Sequence, residues 1–439
     1  MSEPYDVLGI GIGPFNLSLA ALVEPLPGLS TVFFDGRPGF SWHPGMLLEG
    51  ATLQVPFLAD LVTLVDPTSR WSFLSYLRER DRLFPFYFAE RFHVPRTEYD
   101  DYLRWVAESL PSCRFGQRVE SVSWDAEAEL FVAEVCDLHT ARVSVVRARN
   151  AVVGIGTEPA VPAPLRPLLG KEVFHSAEYL DRQESLRGAQ DITILGSGQS
   201  GAEVLLDLLR GQREAGYRLR WLTKAPAFAP MEYSKLGLEH FTPDYTRYFR
   251  GLSEGVRDAL VPAQWQLYKA IDADTIDAIH TELYERTVAG GTVPLTMSPN
   301  IEVVGASRGP DGITLECREV LQGREITVRT DRVVAATGYA ARQPLCLAPL
   351  EDSIRRDVRG RFRIDADYRV ALDPAVTGGL YVQNAELHTH GVGTPDLGLG
   401  AYRAAAILNA LTGREAYRLP SQAAFTTFGV RVDAAPGQM

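Results

Sequence analysis

Residues 5–23 read YDVLGIGIGPFNLSLAALV, and the fold turns on this stretch. It reads as a buried strand, a glycine-rich turn (Gly11, Gly13, Pro14) and a helix. The pattern returns once, as ITILGSGQSGAEVLLDLLR at 192–210. Each copy is followed by a second short strand, STVFFDG (30–36) and LRWLTKA (219–225). Two βαβ openings in one chain predict an α/β fold with two Rossmann-like, dinucleotide-binding domains.

Two further segments resemble each other, RNAVVGIGTEP (149–159) and DRVVAATGYAA (331–341). Both read as a strand running into a turn, so the first domain is expected to close with sequence returning at 331. The resulting plan gives residues 1–160 plus 331–439 to the first domain and 161–330 to the second. Residues 235–290, with helical patterns such as TIDAIHTELYERTV, contribute a smaller substrate-capping region. The proline-rich EPAVPAPLRPLLG marks a boundary, and the tail DAAPGQM is expected to fray.

Bulk properties narrow the function. The 439 residues suit two or three domains. No uncharged apolar run reaches the length needed to span a bilayer, and the N-terminus lacks the basic region of a signal peptide. Four scattered cysteines without a CxxC argue against a disulfide framework, a zinc cluster and a dithiol redox pair, and fit a reducing cytoplasm. A net charge of −11 speaks against nucleic acid as a partner, since phosphates need a basic surface. An acidic protein can attract cationic substrates, although a solvated acidic surface has the same composition.

The two glycine loops differ in a useful way. In the first, Gly11, Gly13 and Asn16 form G-x-G-x-x-N, with Asn16 replacing the usual third glycine. Gly13 lets a pyrophosphate approach the backbone at the helix N-terminus, and Asp35 ends the next strand where a carboxylate can accept from ribose hydroxyls. In the second, Gly196, Gly198 and Gly201, with Gln199 and Ser200 between them, fit the full pattern. Lys224 stands where an acid would mark NADH. A cation there suits a 2′-phosphate, or it is a plain surface lysine. The pair reads as FAD first and NADPH second. Disulfide reductases share this layout but need a CxxC, which leaves a flavin monooxygenase, whose reduced flavin itself activates O2, or a nucleotide-sensing flavoprotein without turnover.

The segments GIGPFNLSLAAL (11–22), FSWHPGMLLEGATLQVPFLADLVTLVDPTS (40–69), EYDDYLRW (98–105), GSGQSGAEV (196–204), AATGY (335–339) and HTHGVGTPDLGLGAYRAAAILN (388–409) occur in the order seen in one family. Over nearly its whole length the chain resembles the N-hydroxylating flavin monooxygenases of siderophore biosynthesis, which act on lysine, ornithine or diamines. The resemblance implies FAD, NADPH and O2, a flavin C4a-hydroperoxide shielded by NADP⁺, and attack by a neutral amine. Delivering that amine neutral costs about 4 to 5 kcal/mol at pH 7 from a reference pKa near 10.4, a cost that desolvation lowers. Gln54 matches the family glutamine beside the isoalloxazine and stands as the catalytic candidate. Trp42, His43 and Pro44 match a segment on the flavin face, and Thr337, Gly338 and Tyr339 match one near both cofactors. A homotetramer or homodimer is also implied. His388 and His390 lack a third ligand, so no metal is expected.

The same comparison bears on the substrate. Amino-acid hydroxylases of this kind carry a lysine where LQVPFLAD has Ala59, a polar residue where alignment puts Leu238, and a serine where this chain has Gly398. A TNYS stretch of the ornithine enzymes is not recoverable around QLYKAID (266–272). The changes remove partners for an α-amino-acid head, and an unpaired buried carboxylate costs several kcal/mol. A diamine fits instead, cadaverine ahead of putrescine, with lysine as the alternative. Glu239 and Asp396 flank the altered positions and are candidates to hold a distal ammonium.

Overall fold

The computed structural model describes residues 3–430; the tail DAAPGQM lies outside the described residues. Two sheets carry the chain, the first mixed and the second all parallel. The first has the order β3-β2-β1-β6-β5-β4, from β1 (Tyr5–Ile10), β2 (Thr31–Asp35), β3 (Cys113–Phe115), β4 (Gln117–Asp125), β5 (Leu130–Asp137) and β6 (Val143–Val153), with β17 (Gly379–Val382) also on β6. Strand β1 sits between two parallel neighbours, Leu8 facing Val32 on β2 and Ala151 on β6. Central strands have no wet face, and Val7, Leu8 and Ile10 are accordingly buried. Strand β6 changes partners along its length. Its first half pairs antiparallel with β5, and its second half lies parallel to β1 and β17.

The second sheet runs β11-β10-β9-β15-β8, all parallel: β8 (Val173–His175), β9 (Asp191–Leu195), β10 (Arg218–Leu222), β11 (Leu295–Ser298) and β15 (Arg332–Ala335). This placement corrects the reading of DRVVAATGYAA. Its strand joins the second sheet, Val334 facing Ile194, and the chain returns to the first sheet only at β17. The two lookalike segments do the same job in different sheets. RNAVVGIG supplies the strand beside β1, and DRVVAATG supplies the strand beside β9. Their continuations then meet, because β7 (Thr157–Pro159) and β16 (Tyr339–Ala341) form a two-stranded connector. A hairpin sheet, β12 (Ile301–Gly309), β13 (Gly312–Glu319) and β14 (Arg324–Thr330), packs beside the second unit.

Residues 235–290 are largely helical but do not act as one cap. Helix Ala273–Thr287 packs on helix Gln199–Ala215 of the second unit. Helix Pro243–Gly251 instead packs on the turn at Gly391–Gly393, next to the first sheet's C-terminal helix Gly400–Thr412. Among the described residues no helix is long and apolar enough to cross a membrane.

Candidate active site

A cleft of about 1960 Å³ runs between the two glycine loops. Single-ligand pockets span roughly 300 to 1,000 Å³, so this one has room for two dinucleotides. Every residue expected to bind a cofactor lines it, apart from Asn16 and Gly201.

Those two exceptions explain the loops. Gly11 has φ +87°, and a Cβ on it would lie 2.6 Å from the Gly154 carbonyl oxygen. A Cβ on Gly13 would meet nothing, so its backbone faces open cleft. Asn16 lies beneath the turn, fully buried. Its Nδ2 donates to the Gly11 carbonyl at 2.8 Å and the Ile10 carbonyl at 3.2 Å, and its Oδ1 accepts from Gln383 at 2.7 Å. It does not contact the cleft; it pins β1 to the end of β17. In the second loop the corresponding Gly201 has no room for a side chain, since a Cβ would sit 2.3 Å from the Gly196 carbonyl oxygen. Trp221 Nε1 caps that same oxygen at 2.7 Å.

Asp35 lines the cleft with both oxygens engaged. Oδ2 accepts from the Ile12 amide at 2.9 Å, and Oδ1 from the Arg37 amide at 2.8 Å and Arg37 Nε at 3.0 Å. Burial opposes its charge, but Arg37 and these amides hold the carboxyl below the usual range. A ribose would therefore share this carboxylate with Arg37. Lys224 is 69% exposed, its Nζ 2.6 Å from Glu302. Gln199 is spent on structure, donating to Glu203 and Thr275 and accepting from the Asp272 amide at 2.8 Å.

The middle of the cleft is aromatic. Trp42 stands edge-on to His43 and to Tyr99, and the His43 ring lies 5.6 Å from that of Tyr339. Burial, then Arg96 and Arg37, push the His43 imidazole down to about 4, so it is neutral at pH 7. Thr337 Oγ1 donates to the Ala160 carbonyl, and the Gly338 carbonyl accepts from the Ala160 amide, fastening the connector to the cleft floor. Gln54 has its carbonyl bound by the Tyr233 hydroxyl at 2.7 Å, while its buried Nε2 has no partner among the described residues. A donor left unpaired costs roughly 1 to 3 kcal/mol. Such an amide, beside two backbone cradles open to the cleft, fits a flat heteroaromatic ring with acceptor atoms.

The substrate candidates divide. Ala59 is buried, and its carbonyl accepts from the Tyr99 hydroxyl at 2.9 Å. A Cβ on Gly398 would come within 3.9 Å of Ala59 Cβ and 2.8 Å of Asp396 Oδ1. Ala59, Asp396 and Gly398 thus form one cluster, and Gly398 leaves the space that the Asp396 carboxylate occupies. Asp396 Oδ1 accepts from the Gly398 amide at 2.7 Å, and burial raises its carboxyl to about 6. None of the three lines the cleft, but Thr394, Pro395 and Leu397, interleaved with them in sequence, do. Glu239 belongs elsewhere. Its oxygens accept from the Phe425 and Thr426 amides at 3.0 and 2.7 Å, which removes it as an ammonium partner. Leu238 sits half-buried on the same short helix.

Several residues in or beside the cleft carried no signal in the sequence. Arg96 forks onto Glu203 with Nη2 to Oε1 at 2.7 Å, tying the first unit to the second at the heart of the cleft. Tyr233 bridges Gln54 and His93 Nε2, the latter at 2.8 Å. Tyr268 and Lys269 come from QLYKAID and lie against the second loop, with the Lys269 carbonyl 3.1 Å from where a Gly198 Cβ would be. A lone Arg, Tyr or Lys in unpatterned sequence is indistinguishable from a surface residue. His388 Nε2 is within 2.8 Å of the Phe362 carbonyl and His390 stacks on Tyr368. Among the described residues no group of three or more His, Cys, Asp or Glu is placed to hold a metal ion.

Residues 3–341 match the family model of L-lysine 6-monooxygenase/L-ornithine 5-monooxygenase. The chain belongs to this family. Within it, the chain is 42% identical to the rhizobactin siderophore biosynthesis protein RhbE of Rhizobium meliloti, over 97% of this chain and 95% of that one. It is 39% identical to a putrescine N-hydroxylase of Shewanella oneidensis, over 97% of this chain and 84% of the relative. The FAD-bound crystal structure of DfoA, the cadaverine monooxygenase of the desferrioxamine pathway of Erwinia amylovora, superposes with a TM-score of 0.95 at 40% identity, covering 99% of this chain and 100% of that one. Membership makes the protein an N-hydroxylating monooxygenase.

Proposed function

We propose that this enzyme uses FAD and NADPH to hydroxylate one terminal amine of an aliphatic diamine for a hydroxamate siderophore, cadaverine ahead of putrescine. The observation that carries the reading is the Ala59–Asp396–Gly398 cluster. It offers a carboxylate that forms no ion pair among the described residues, since the nearby Arg403 is paired with Glu386, and no side chain for an α-carboxylate. A distal ammonium matches that charge, whereas free lysine would bring a carboxylate against Asp396. The balance is RNH2 + O2 + NADPH + H⁺ giving RNHOH + H2O + NADP⁺.

FAD, when bound and reduced, supplies the activated oxygen. The chain's own residues do the rest. Gly13 and Gly198 would present backbone to the two pyrophosphates, and Lys224 would leave its partner Glu302 to pair with the 2′-phosphate. Gln54 Nε2, buried without a partner among the described residues, would donate to an acceptor atom of the flavin ring. Neutral His43, Trp42 and Tyr339 keep water from the ring face without adding charge, which lowers the cost of holding the reacting amine deprotonated.

Product formation from cadaverine, putrescine, lysine and ornithine, measured in parallel, tests the reading. Lysine hydroxylated as efficiently as either diamine overturns it. The proposal includes two or four copies per molecule. Phe84, Tyr87 and Phe88, each more than two-thirds exposed on one short helix, support an interface, and sedimentation measures it.

A further inference from the structure

The last described stretch, Ser421–Gly429, has no helix or strand, yet it is fastened at many points to a single target. Glu239 accepts from the Phe425 and Thr426 amides. Asp244 Oδ2 accepts from the Ala423 and Ala424 amides at 2.6 and 3.1 Å. Arg247, itself on Asp244 Oδ1, donates to the Ser421 carbonyl at 2.9 Å. Phe428 then closes the contact: its ring lies 5.0 Å from Tyr245, 5.5 Å from His240 and 6.1 Å from Tyr248, the last pair stacked.

Glu239, Asp244, Tyr245 and Arg247 all belong to residues 237–251, the short helix carrying Leu238 and the helix Pro243–Gly251. The same helix also meets the turn that leads into the substrate cluster. Phe249 and Val392 are fully buried in one small core, and a Cβ on Gly391 would touch the Phe249 ring at 3.0 Å. Thr246 Oγ1 approaches the Gly393 position to 4.0 Å. The next residues are Thr394, Pro395 and Leu397 of the cleft wall, with Asp396 and Gly398 between and after them. An unbroken set of contacts therefore runs from the C-terminal segment through one helix to the residues proposed to select the amine.

We propose that Ser421–Gly429 is a clasp that fixes the amine-binding wall, with Glu239 and Phe428 as its positioning residues. The inference rests on the placement of the amine at the Asp396 cluster. A loosened clasp lets the wall drift and the amine lose its place, while both glycine loops, which the clasp does not touch, keep their cofactors. The reducing equivalents of NADPH are then lost as NADPH + H⁺ + O2 giving NADP⁺ + H2O2.

The test compares Phe428→Ala, Phe428→Tyr and Glu239→Gln in the full chain, using whichever of the four amines the unaltered enzyme hydroxylates best. Hydroxylated product, H2O2, FAD content and KM for NADPH are measured together. Expected for Phe428→Ala is an amine KM raised about tenfold and product per NADPH falling below half, with FAD content and the KM for NADPH within twofold. Phe428→Tyr restores both. Glu239→Gln, which keeps one acceptor oxygen, shows the same split at smaller size and reports alone if Phe428→Ala does not fold. Unchanged amine KM and coupling in the variants, or FAD content and NADPH affinity falling in step with them, overturns the clasp. Because the amine is chosen by the enzyme, preference for lysine would defeat the diamine reading and leave this test standing.

Discussion

Replacing Asp396 by Asn tests the diamine assignment at its most exposed point. The substitution keeps shape and an acceptor for the Gly398 amide, 2.7 Å away, and removes only the charge. A charge-assisted hydrogen bond is worth about 1.5 to 3 kcal/mol, which at 1.36 per decade is about 13- to 160-fold in affinity. Cadaverine KM should rise by that factor. Pentylamine, with the same reacting end and no distal ammonium, should be unaffected, so the preference between the two collapses. The pH profile carries the sign. Burial raises the Asp396 carboxyl to about 6, so it is ionised above that value and neutral below it. Cadaverine KM in the unaltered enzyme should climb as pH falls through about 6, and the Asn variant should lack that limb. Stability moves the other way. A folded pKa above the unfolded reference near 3.9 means that ionisation costs native stability as pH rises from about 4 to 6. The Asn variant carries no such cost and should melt no lower at pH 7. Product assays with both amines from pH 5 to 8, plus a melting curve, decide the matter. Equal KM changes for cadaverine and pentylamine would refute the assignment.

Three other outcomes follow from the same geometry. Lys224→Ala should raise KM for NADPH about tenfold or more while leaving NADH little changed; equal effects on initial rates would remove Lys224 from the 2′-phosphate. Ala59→Lys should lose diamine activity, because the new ammonium reaches the buried cluster and neutralises Asp396, and should gain product from lysine in the same assay. Arg96→Met leaves Glu203 buried without its partner, which costs about 3 to 5 kcal/mol and should lower the melting temperature, whereas Arg96→Met with Glu203→Met should recover much of it.

Much of the fold was legible because its decisive features are local. A strand, a glycine turn and a helix sit within 20 residues, so the spacing of Gly11 and Gly13 or of Gly196 and Gly198 announces both cradles. The partner of a strand is not local, so the strand pattern alone does not say which sheet it joins. DRVVAATGY carries the same pattern as RNAVVGIGT, and only the hydrogen bonds of β15 to β8 and β9 reveal its sheet. The site divides on the same line. The motif residues expected to hold the cofactors line the cleft except Asn16 and Gly201. Asn16 and Glu239 were misassigned because a buried polar side chain pinning the backbone and one facing a ligand are the same letter in sequence. The convergence of Ala59 with Gly398, more than 300 positions apart, is visible only in space.

Asn16 and Gly201 occupy equivalent corners of their loops, yet one is stitched and the other merely fits. Around Asn16, side-chain hydrogen bonds bind the first turn to two strand ends, so opening that turn would strand several polar groups at once. Around Gly201 the turn rests on van der Waals approach and one indole bond. Opening the first turn breaks several side-chain hydrogen bonds at once, whereas opening the second breaks one, so the third position of each loop sets how many bonds hold its turn shut.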